Sequence, residues 1–233
     1  MAKPPTRPPA GADPPELNAR QLPYIAGAAD FARAFGAAPD TMAALETYAG
    51  LLRRWQKAVN LVAPASLGDL WHRHFADSAQ LWELAPGARR WLDLGSGAGF
   101  PGLVIAILGA NQGVHVTLVE ASGRKCAFLA EVARATGAPV EIRNERIESL
   151  RLGRTVAPFD VVTARGLAPL NKLLRLAAPF FGSGTVGLFP KGRNARAEVE
   201  TARAAWTFHV KLVQSRTDRH ARVLELREPA PRD

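Results

Sequence analysis

The sequence predicts an α/β fold: a mainly parallel, seven-stranded sheet with one antiparallel strand, preceded by a small helical cap. From Arg90 onward, short apolar segments alternate with helical patterns, which is typical of parallel strands joined by crossover helices. A glycine-rich turn over residues 95–102 links the first strand to a helix. Near the carboxyl terminus, two alternating segments are separated only by a short loop, which requires an antiparallel pair.

The predicted strands follow one another at regular intervals, and the helices between them carry recognisable start and stop signals. In chain order the strands are Trp91–Leu94, Val114–Val119, Val140–Arg143, Phe159–Thr163, Thr185–Phe189, Thr207–Gln214 and Arg222–Arg227. Ser122 can cap the helix after the second strand, and Gly137 can end it. A turn is expected at Pro190-Lys191-Gly192, directly after the fifth strand.

The chain before the sheet divides into two regions. Residues 1–23 contain seven prolines and few large apolar side chains, which predicts a mostly disordered tail. Residues 24–89 carry the helical cap, with an expected helix start at Pro39-Asp40 and a further helical stretch over 66–84. The main domain is then expected to span residues 90–228, with a short tail at 229–233.

Composition narrows the class of protein. A net charge of +9 favours an anionic partner, and nucleic acid is the obvious candidate, although a merely solvated basic surface remains an alternative. The single cysteine excludes an internal disulfide. Because there is neither an apolar run of about 18 residues nor a secretory signal, a cytoplasmic protein without membrane association is expected.

The glycine turn is the strongest local motif. Asp93 lies at the end of the first strand, two residues before the alternating glycines Gly95, Gly97 and Gly99. This order resembles the first motif of the Rossmann-like S-adenosylmethionine-dependent methyltransferases, whose glycine turn lies beneath the methionine part of the cofactor. Glycines allow both the sharp turn and the close approach of a ligand.

A dinucleotide site is the competing interpretation of this turn, because residues 97–102 also fit the pattern G-x-G-x-x-G. Two features argue against it. Asp93 would repel a diphosphate, whereas it suits a cofactor that carries an ammonium and a sulfonium. Pro101 removes a backbone N–H from the helix start, where a phosphate needs donors. A turn that binds no ligand is the remaining alternative.

Further site residues are expected where the other parallel strands end, because ligands bind at that edge of an open sheet. Glu120 follows the second strand, and its two acceptor oxygens suit the two hydroxyls of a ribose. Ile147 and Glu148 follow the third strand and can provide a wall for an adenine ring, although a helix start explains them nearly as well. Arg165 follows the fourth strand.

Several other chemistries are disfavoured. Cys126 lies on the apolar face of a helix, so it is expected in the core and not as a nucleophile for pyrimidine C5 methylation. His72 and His74 point about 200° apart on a helix and cannot chelate one ion, so no metal site is predicted. The Asn/Asp-Pro-Pro-aromatic tetrad of exocyclic-amine methylases is missing. The acceptor is therefore expected to be a ring nitrogen or a hydroxyl.

Several motifs together resemble one family. They are, in order, Trp55-Gln-Lys57-x-x-Asn60-Leu61, Arg73-His74-x-x-Asp77-Ser78, residues 92–102, Glu120-x-x-x-Arg124-Lys125-x-x-Phe128-Leu129, Thr163-Ala-Arg165-Gly and Lys191-Gly192. On these motifs the chain resembles the bacterial small-subunit ribosomal RNA guanine-N7 methyltransferases (RsmG, also called glucose-inhibited division protein B) over about residues 30–227. The end of the fourth strand departs from the commoner Ser-Arg-Ala of that family by carrying Ala164-Arg165-Gly166.

The resemblance implies a cofactor, a substrate and a set of contacts. The cofactor would be S-adenosylmethionine, and the substrate 16S ribosomal RNA or the small subunit, methylated at a guanine in the decoding-region (530) loop. The implied cofactor contacts are Gly95, Phe100, Ile147, Glu148 and Arg165. The implied RNA contacts are Arg124 and Lys125, and Arg53, Arg54 and Lys57 of the cap extend this basic surface.

Two alternatives remain at this point. One is a methyltransferase that acts on another RNA or on a small molecule, and the other is a non-catalytic ribosome assembly factor. In the leading interpretation guanine N7 attacks without losing a proton, so positioning by Arg165 matters more than acid–base catalysis. The protein is expected to act as a monomer.

Overall fold

The computed structural model describes residues 16–150 and 158–232, and in this part of the chain all strands join one eight-stranded sheet. The strands are β1 (Glu16–Leu17), β2 (Arg90–Leu94), β3 (His115–Val119), β4 (Val140–Arg143), β5 (Val161–Thr163), β6 (Val186–Lys191), β7 (Trp206–Gln214) and β8 (Arg222–Pro231). Their order across the sheet is β1-β7-β8-β6-β5-β2-β3-β4.

The sheet is parallel except at β8, as the short β7–β8 connection predicts. Strand β8 is inserted between β6 and β7 and is antiparallel to both. Strand β2 is central, with Asp93 opposite Leu118 of β3 and Thr163 of β5. The chain moves outward from β2 in both directions, so the carboxyl ends of β2 to β6 meet at one edge and create a crevice there.

The sheet extends beyond the sequence-based predictions in three places, and the other strand bounds differ by no more than two residues. Strand β1 comes from residues that were expected in the disordered tail. It pairs with β7, because an edge strand has unpaired backbone groups that a further strand can bind. Pro190 and Lys191, expected in a turn, continue β6 because β8 pairs with them. Strand β8 likewise extends into the expected carboxyl-terminal tail, to Pro231. Residues 1–15 of the predicted tail lie outside the described residues.

Helices cover both faces of the sheet. They are α1 (Ala28–Phe35), α2 (Pro39–Trp55), α3 (Asp77–Leu84), α4 (Gly102–Gly109), α5 (Gly123–Thr136), α6 (Leu170–Ala177) and α7 (Ala195–Arg203), with a 3₁₀ turn (Pro64–Asp69) and a π-helical turn (Trp71–Ala76) before α3. Alternate strand residues face opposite sides, so Trp91 packs with α2 to α5 while Leu92 packs with α6 and α7. Among the described residues, none of the helices has the length and apolar character needed to cross a bilayer.

The predicted cap shares its core with the sheet. Tyr48 of α2 and Phe75 of the π-helical turn are completely buried, and both rings contact Phe100 at the end of the glycine turn. Helix α2 begins at Pro39, but its N-cap is Ala38 and not the expected Pro39-Asp40; Pro39 occupies the first helical position and Asp40 lies in the first turn. Proline fits this position because a first-turn N–H needs no partner within the helix.

Candidate active site

The glycine turn after β2 is built from left-handed backbone. Gly95, Gly97 and Gly99 have φ angles of 68°, 57° and 91°, a region that side chains disfavour. The N–H groups of Gly95 and Ser96 donate to the Val119 carbonyl at 2.9 and 3.0 Å, which ties the turn to the end of β3. The turn is therefore a fixed platform at the crevice.

Glu120 joins the turn to helix α5. Its Oε2 accepts a hydrogen bond from the Gly97 N–H at 2.9 Å, and its Oε1 accepts one from the Ser122 N–H at 2.8 Å. Ser122 caps α5 as predicted, accepting from the Lys125 N–H. Each carboxylate oxygen keeps a further acceptor site, so this oriented group can still receive two hydroxyl donors.

Asp93 is placed differently from the expectation that it faces the cofactor. Its side chain is completely buried beneath the turn, where Oδ2 accepts from the Gly102 N–H at 3.2 Å. Oδ1 is buried and has no hydrogen-bond partner among the described residues. Burial raises the pKa of this carboxyl from 3.8 to about 7, against the lowering effect of Arg165. A charge here would attract a cation at the crevice.

Phe100 also supports the site from below, since only 4% of it is exposed. It stacks on Tyr48 with ring centroids 5.2 Å apart, and the Tyr48 hydroxyl donates to the Ala98 carbonyl within the turn. The aromatic packing thus connects the cap to the glycine turn.

The segment after β4 lies at the adjacent edge. Ile147 is half-buried, while the Glu148 side chain is more than half exposed and lies 3.6 Å from Arg146. Asn144 was not singled out from the sequence, yet its Nδ2 donates to the carbonyls of Glu120 and Ala121 at 3.1 and 3.2 Å. Its position directly after a parallel strand was the available signal.

Arg165, at the end of β5, is held by the cap. Its Nη1 donates to Asp77 Oδ2 at 3.1 Å and to the Arg73 carbonyl at 3.0 Å, and its Nη2 lies 2.7 Å from His74 Nδ1. The guanidinium carbon also lies 5.2 Å from the centre of the Phe100 ring. These contacts fix a charged group in one orientation above the aromatic packing.

His74 is neutral in this arrangement. Arginine can only donate, so His74 Nδ1 accepts from Arg165, and Nε2 carries the proton that it donates to Ser66 Oγ at 2.8 Å. Burial, followed by the charges of Arg165 and Arg73, lowers the pKa of His74 from 6.5 to about 3. In this state His74 bridges Arg165 and Ser66.

Asp77 extends the same network to the loop between β7 and β8. Its Oδ1 accepts from Gln80 Nε2 at 2.8 Å and from Thr217 Oγ1 at 2.9 Å. Asp77 belongs to the motif Arg73-His74-x-x-Asp77-Ser78, but the sequence alone predicts no role for it. Asp77 precedes Arg165 by 88 residues and Thr217 by 140 residues in the sequence, so only the fold reveals these two contacts.

Beside Arg165 opens a cleft of about 1020 Å³. Its positive charges come from five side chains: Arg73, Arg165, Lys191, Arg219 and Arg222. Lys191 is paired with Glu198 at 2.8 Å, and its ammonium also donates to the Ala168 carbonyl. Leu167 lines the cleft and also packs against Gly95, where a Cβ would lie 2.7 Å from its Cδ1. Leu167 therefore separates the cleft from the glycine turn by one side chain.

The five basic residues predicted to contact RNA lie elsewhere. Arg53, Arg54 and Lys57 are exposed at the end of α2, and Arg124 is exposed beside half-buried Lys125 at the start of α5. The two helices pack together, with Trp55 against Phe128. None of the five lines the cleft.

Cys126 is buried, and its Sγ donates to the Glu120 carbonyl at 3.3 Å, which confirms its place in the core. Burial raises the pKa of this thiol, so it is a poor nucleophile. Within the described ranges, no group of three potential ligands is arranged to hold a metal ion.

Comparison with known proteins identifies the family. The sequence model of the family described as rRNA small subunit methyltransferase G matches residues 41–225. A protein of Methylorubrum populi with the name ribosomal RNA small subunit methyltransferase G is 55% identical over 188 residues, covering 80% of this chain and 88% of the relative. A relative of the same name from Rhodospirillum centenum is 52% identical over 206 residues, covering 88% and 92%.

Solved structures show the same fold at low sequence identity. An O-methyltransferase from Bacillus cereus, in complex with S-adenosylhomocysteine, matches with a TM-score of 0.54 and 16% identity, covering 78% of this chain and 91% of the other. This match confirms the predicted Rossmann-like methyltransferase fold. With a family model that matches most of its length and relatives about half identical to it, the chain belongs to the rRNA small subunit methyltransferase G family.

Proposed function

We propose that the protein transfers a methyl group from S-adenosylmethionine to N7 of a guanine in the decoding-region (530) loop of 16S ribosomal RNA. Family membership supports a ribosomal RNA substrate. The choice of N7 is supported by one observation, a cleft beside the glycine turn lined by five basic and four acidic side chains, in which the acidic and histidine side chains already hold partners.

The residues around the glycine turn fit S-adenosylmethionine, which supplies a methyl group on a sulfonium when bound. The turn offers close approach of the backbone, and Glu120 offers oriented acceptors to the ribose hydroxyls. The carboxylate of Asp93, with its unpartnered Oδ1, would lie beneath the cationic part of the cofactor. Ile147 and Asn144 border the place where the adenine is expected.

The cleft fits the acceptor base and its phosphates. Arg165 lines the cleft, follows the end of β5 and lies over the Phe100 ring, and its bond to Asp77 holds it in place. A rigid donor can orient a guanine edge or an adjoining phosphate so that N7 faces the methyl group in line. The target guanine must be unstacked for this, which a single-stranded loop permits.

The transfer forms the N7–carbon bond from the N7 lone pair as the carbon–sulfur bond breaks, and its electron pair remains on sulfur. Guanine N7 carries no proton, so the step needs no base. In the cleft, every acidic and histidine side chain that could act as a base already has a hydrogen-bond partner, which supports an acceptor that needs no base. The pairs are Asp69 with Tyr24, Asp77 with Arg165, Glu198 with Lys191, Asp218 with the His220 N–H, His72 with Thr217, His74 with Arg165 and His220 with Arg219.

Methylation of unmodified small subunits and of their naked RNA by the purified chain tests the proposal. Chemical cleavage at N7-methylguanosine followed by primer extension should map one new site in the 530 loop. With S-adenosylmethionine at saturating concentration, so that ionisation of Asp93 does not limit cofactor binding, the single-turnover rate should be nearly flat between about pH 6 and 9. A methyl group on another atom, or a rate that climbs tenfold per pH unit, would contradict an N7 acceptor.

A further inference from the structure

Tyr24 is an exposed aromatic residue that the rest of the structure holds in place. Its side chain is 61% exposed, and among the described residues only Leu17 is another exposed large hydrophobic. The Tyr24 hydroxyl donates to Asp69 Oδ1 at 2.8 Å. One side of the ring meets the His72 ring, with centroids 5.0 Å apart and a tilt of 41°.

The backbone beside Tyr24 is anchored as well. The next residue, Ile25, is 1% exposed and donates its N–H to His72 Nδ1 at 3.3 Å. Two residues before Tyr24, the Leu22 N–H donates to the Arg216 carbonyl at 2.8 Å. Tyr24 therefore presents one open ring face from a fixed position, although water covers most of the side chain.

Tyr24 also stands between two hollows. Its partners Asp69 and His72 line the cleft that contains Arg165, while Tyr24 itself lines a second hollow of about 520 Å³. The second hollow contains three arginines, Arg20, Arg33 and Arg216, and one acid, Asp30. Tyr24 therefore lies between the side of the cleft formed by Asp69 and His72 and the arginines of the second hollow.

Arg216 links the second hollow to helix α3. Its side chain pairs with Glu83 and lies over the Phe35 ring at 5.9 Å, and its N–H donates to Gln80 Oε1 at 2.9 Å. Gln80 in turn donates to Asp77, the partner of Arg165. The second hollow and the Arg165 clamp thus share one rigid helix, α3.

We propose that Tyr24 is a stacking platform for an unpaired nucleobase that flanks the methylated guanine, and that the second hollow takes the phosphates on the far side of this base. The inference rests on the proposed function in requiring an RNA substrate. Bases of single strands stack on exposed aromatic rings, and arginines beside such rings hold the backbone. The fixed ring lies between two hollows that each contain more basic than acidic side chains, which matches this arrangement.

Steady-state methylation of naked small-subunit RNA tests the role of the ring. Tyr24→Ala should raise KM for RNA about tenfold, in line with the loss of one stacked base, while the effect on kcat stays small. Tyr24→Phe loses the bond to Asp69 but keeps the ring, so it should restore most of the RNA affinity. Leu17→Ala, which removes the other exposed hydrophobic, is the matched control and should leave KM unchanged.

Ultraviolet crosslinking of the wild-type chain to RNA tests contact without any substitution. The chain has two tyrosines, and Tyr48 is completely buried, so a peptide adduct at Tyr24 with none at Tyr48 is expected. Normal N7 methylation without this adduct, and with an unchanged KM for Tyr24→Ala, would overturn the inference and leave the proposed function standing. A Tyr24 adduct to a ribosomal protein in place of RNA, with KM affected only on assembled subunits, would also overturn it.

Discussion

The proposed cofactor half and the proposed acceptor half of the crevice are built in opposite ways. The cofactor half consists of strand ends: residues 95–100 follow β2 directly, and Glu120 follows β3 directly. The acceptor half is assembled across the fold, since Arg165 depends on Asp77 and Asp77 on Thr217. A strand end reaches the crevice through local structure alone, whereas the clamp exists only when the cap and the β7–β8 loop are both in place.

This difference implies that the two halves respond separately to substitution and to pH. The cofactor half contains a buried acid, Asp93, and the acceptor half contains a half-buried base, His74.

The pH dependence of stability should have opposite signs in the two halves. The folded protein keeps the Asp93 proton up to about pH 7, while the unfolded chain releases it near pH 3.8, so this group lowers stability as pH rises through that window. His74 behaves in the opposite way. In the unfolded chain its imidazole takes up a proton below pH 6.5, whereas in the folded protein it stays neutral down to about pH 3. Stability therefore falls as pH falls from 6.5 to 3. Each contribution is about 4 kcal/mol or less.

Chemical denaturation between pH 4.5 and 7.5 separates the two groups. The wild-type chain should vary little where the opposing contributions overlap. Asp93→Asn should reveal a steep rise of stability with pH from His74, and His74→Gln should reveal a fall from Asp93. Parallel curves for Asp93→Asn and wild type would show that Asp93 ionises normally beneath the turn.

Arg165→Ala should lower the methylation rate about 100-fold, because the acceptor loses its orienting donor. The loss should be equal at every pH from 6 to 9, since arginine does not titrate there. Arg165→Lys keeps the charge but cannot reproduce the planar set of bonds to Asp77, Arg73 and His74, so most of the loss should remain. An intact single-turnover rate in Arg165→Ala would remove this residue from the site.

The contrast between the halves also decides what the sequence could predict. Strand ends and a glycine motif are local, so Gly95, Glu120 and the cap at Ser122 were found from spacing. The Tyr48–Phe100 stack and the Asp77–Arg165 pair join residues far apart in the chain, and no periodicity reports such contacts. The sequence predicts that Asp93 lies at the end of a strand. Its burial depends on Leu118 and Gly102 packing over it, which only the fold determines.

Glu120→Ala should weaken S-adenosylmethionine binding by one to two orders of magnitude, since charge-assisted bonds to the ribose are worth about 1.5–3 kcal/mol. RNA affinity should change little, because Glu120 lies in the cofactor half. Glu120→Gln is a matched control of the same size: it offers one acceptor to Gly97 or Ser122 but not to both, so an intermediate loss is expected. Titration calorimetry measures each affinity, and equal losses of cofactor and RNA would show that the halves are not independent.

The last prediction compares two basic surfaces, the cleft with Arg73, Arg219 and Arg222 and the α2–α5 surface with the five residues expected from sequence to bind RNA. Charges that contact phosphates release counterions, so each contact contributes about 0.7–0.9 to the slope of log affinity against log salt.

Neutralising Arg53, Arg54 and Lys57 together should flatten the slope by up to about 2 if this surface follows the RNA, with a small loss per residue. Neutralising Arg219 and Arg222 in the cleft should flatten it by about 1.5, because these side chains border the proposed acceptor site. Filter binding at several salt concentrations gives both slopes. If only the cleft variant changes the slope, the α2–α5 charges form a solvated surface. These charges lie outside the cleft and on a separate pair of helices. An effect from both variants would therefore require an RNA that spans both sides of the glycine turn.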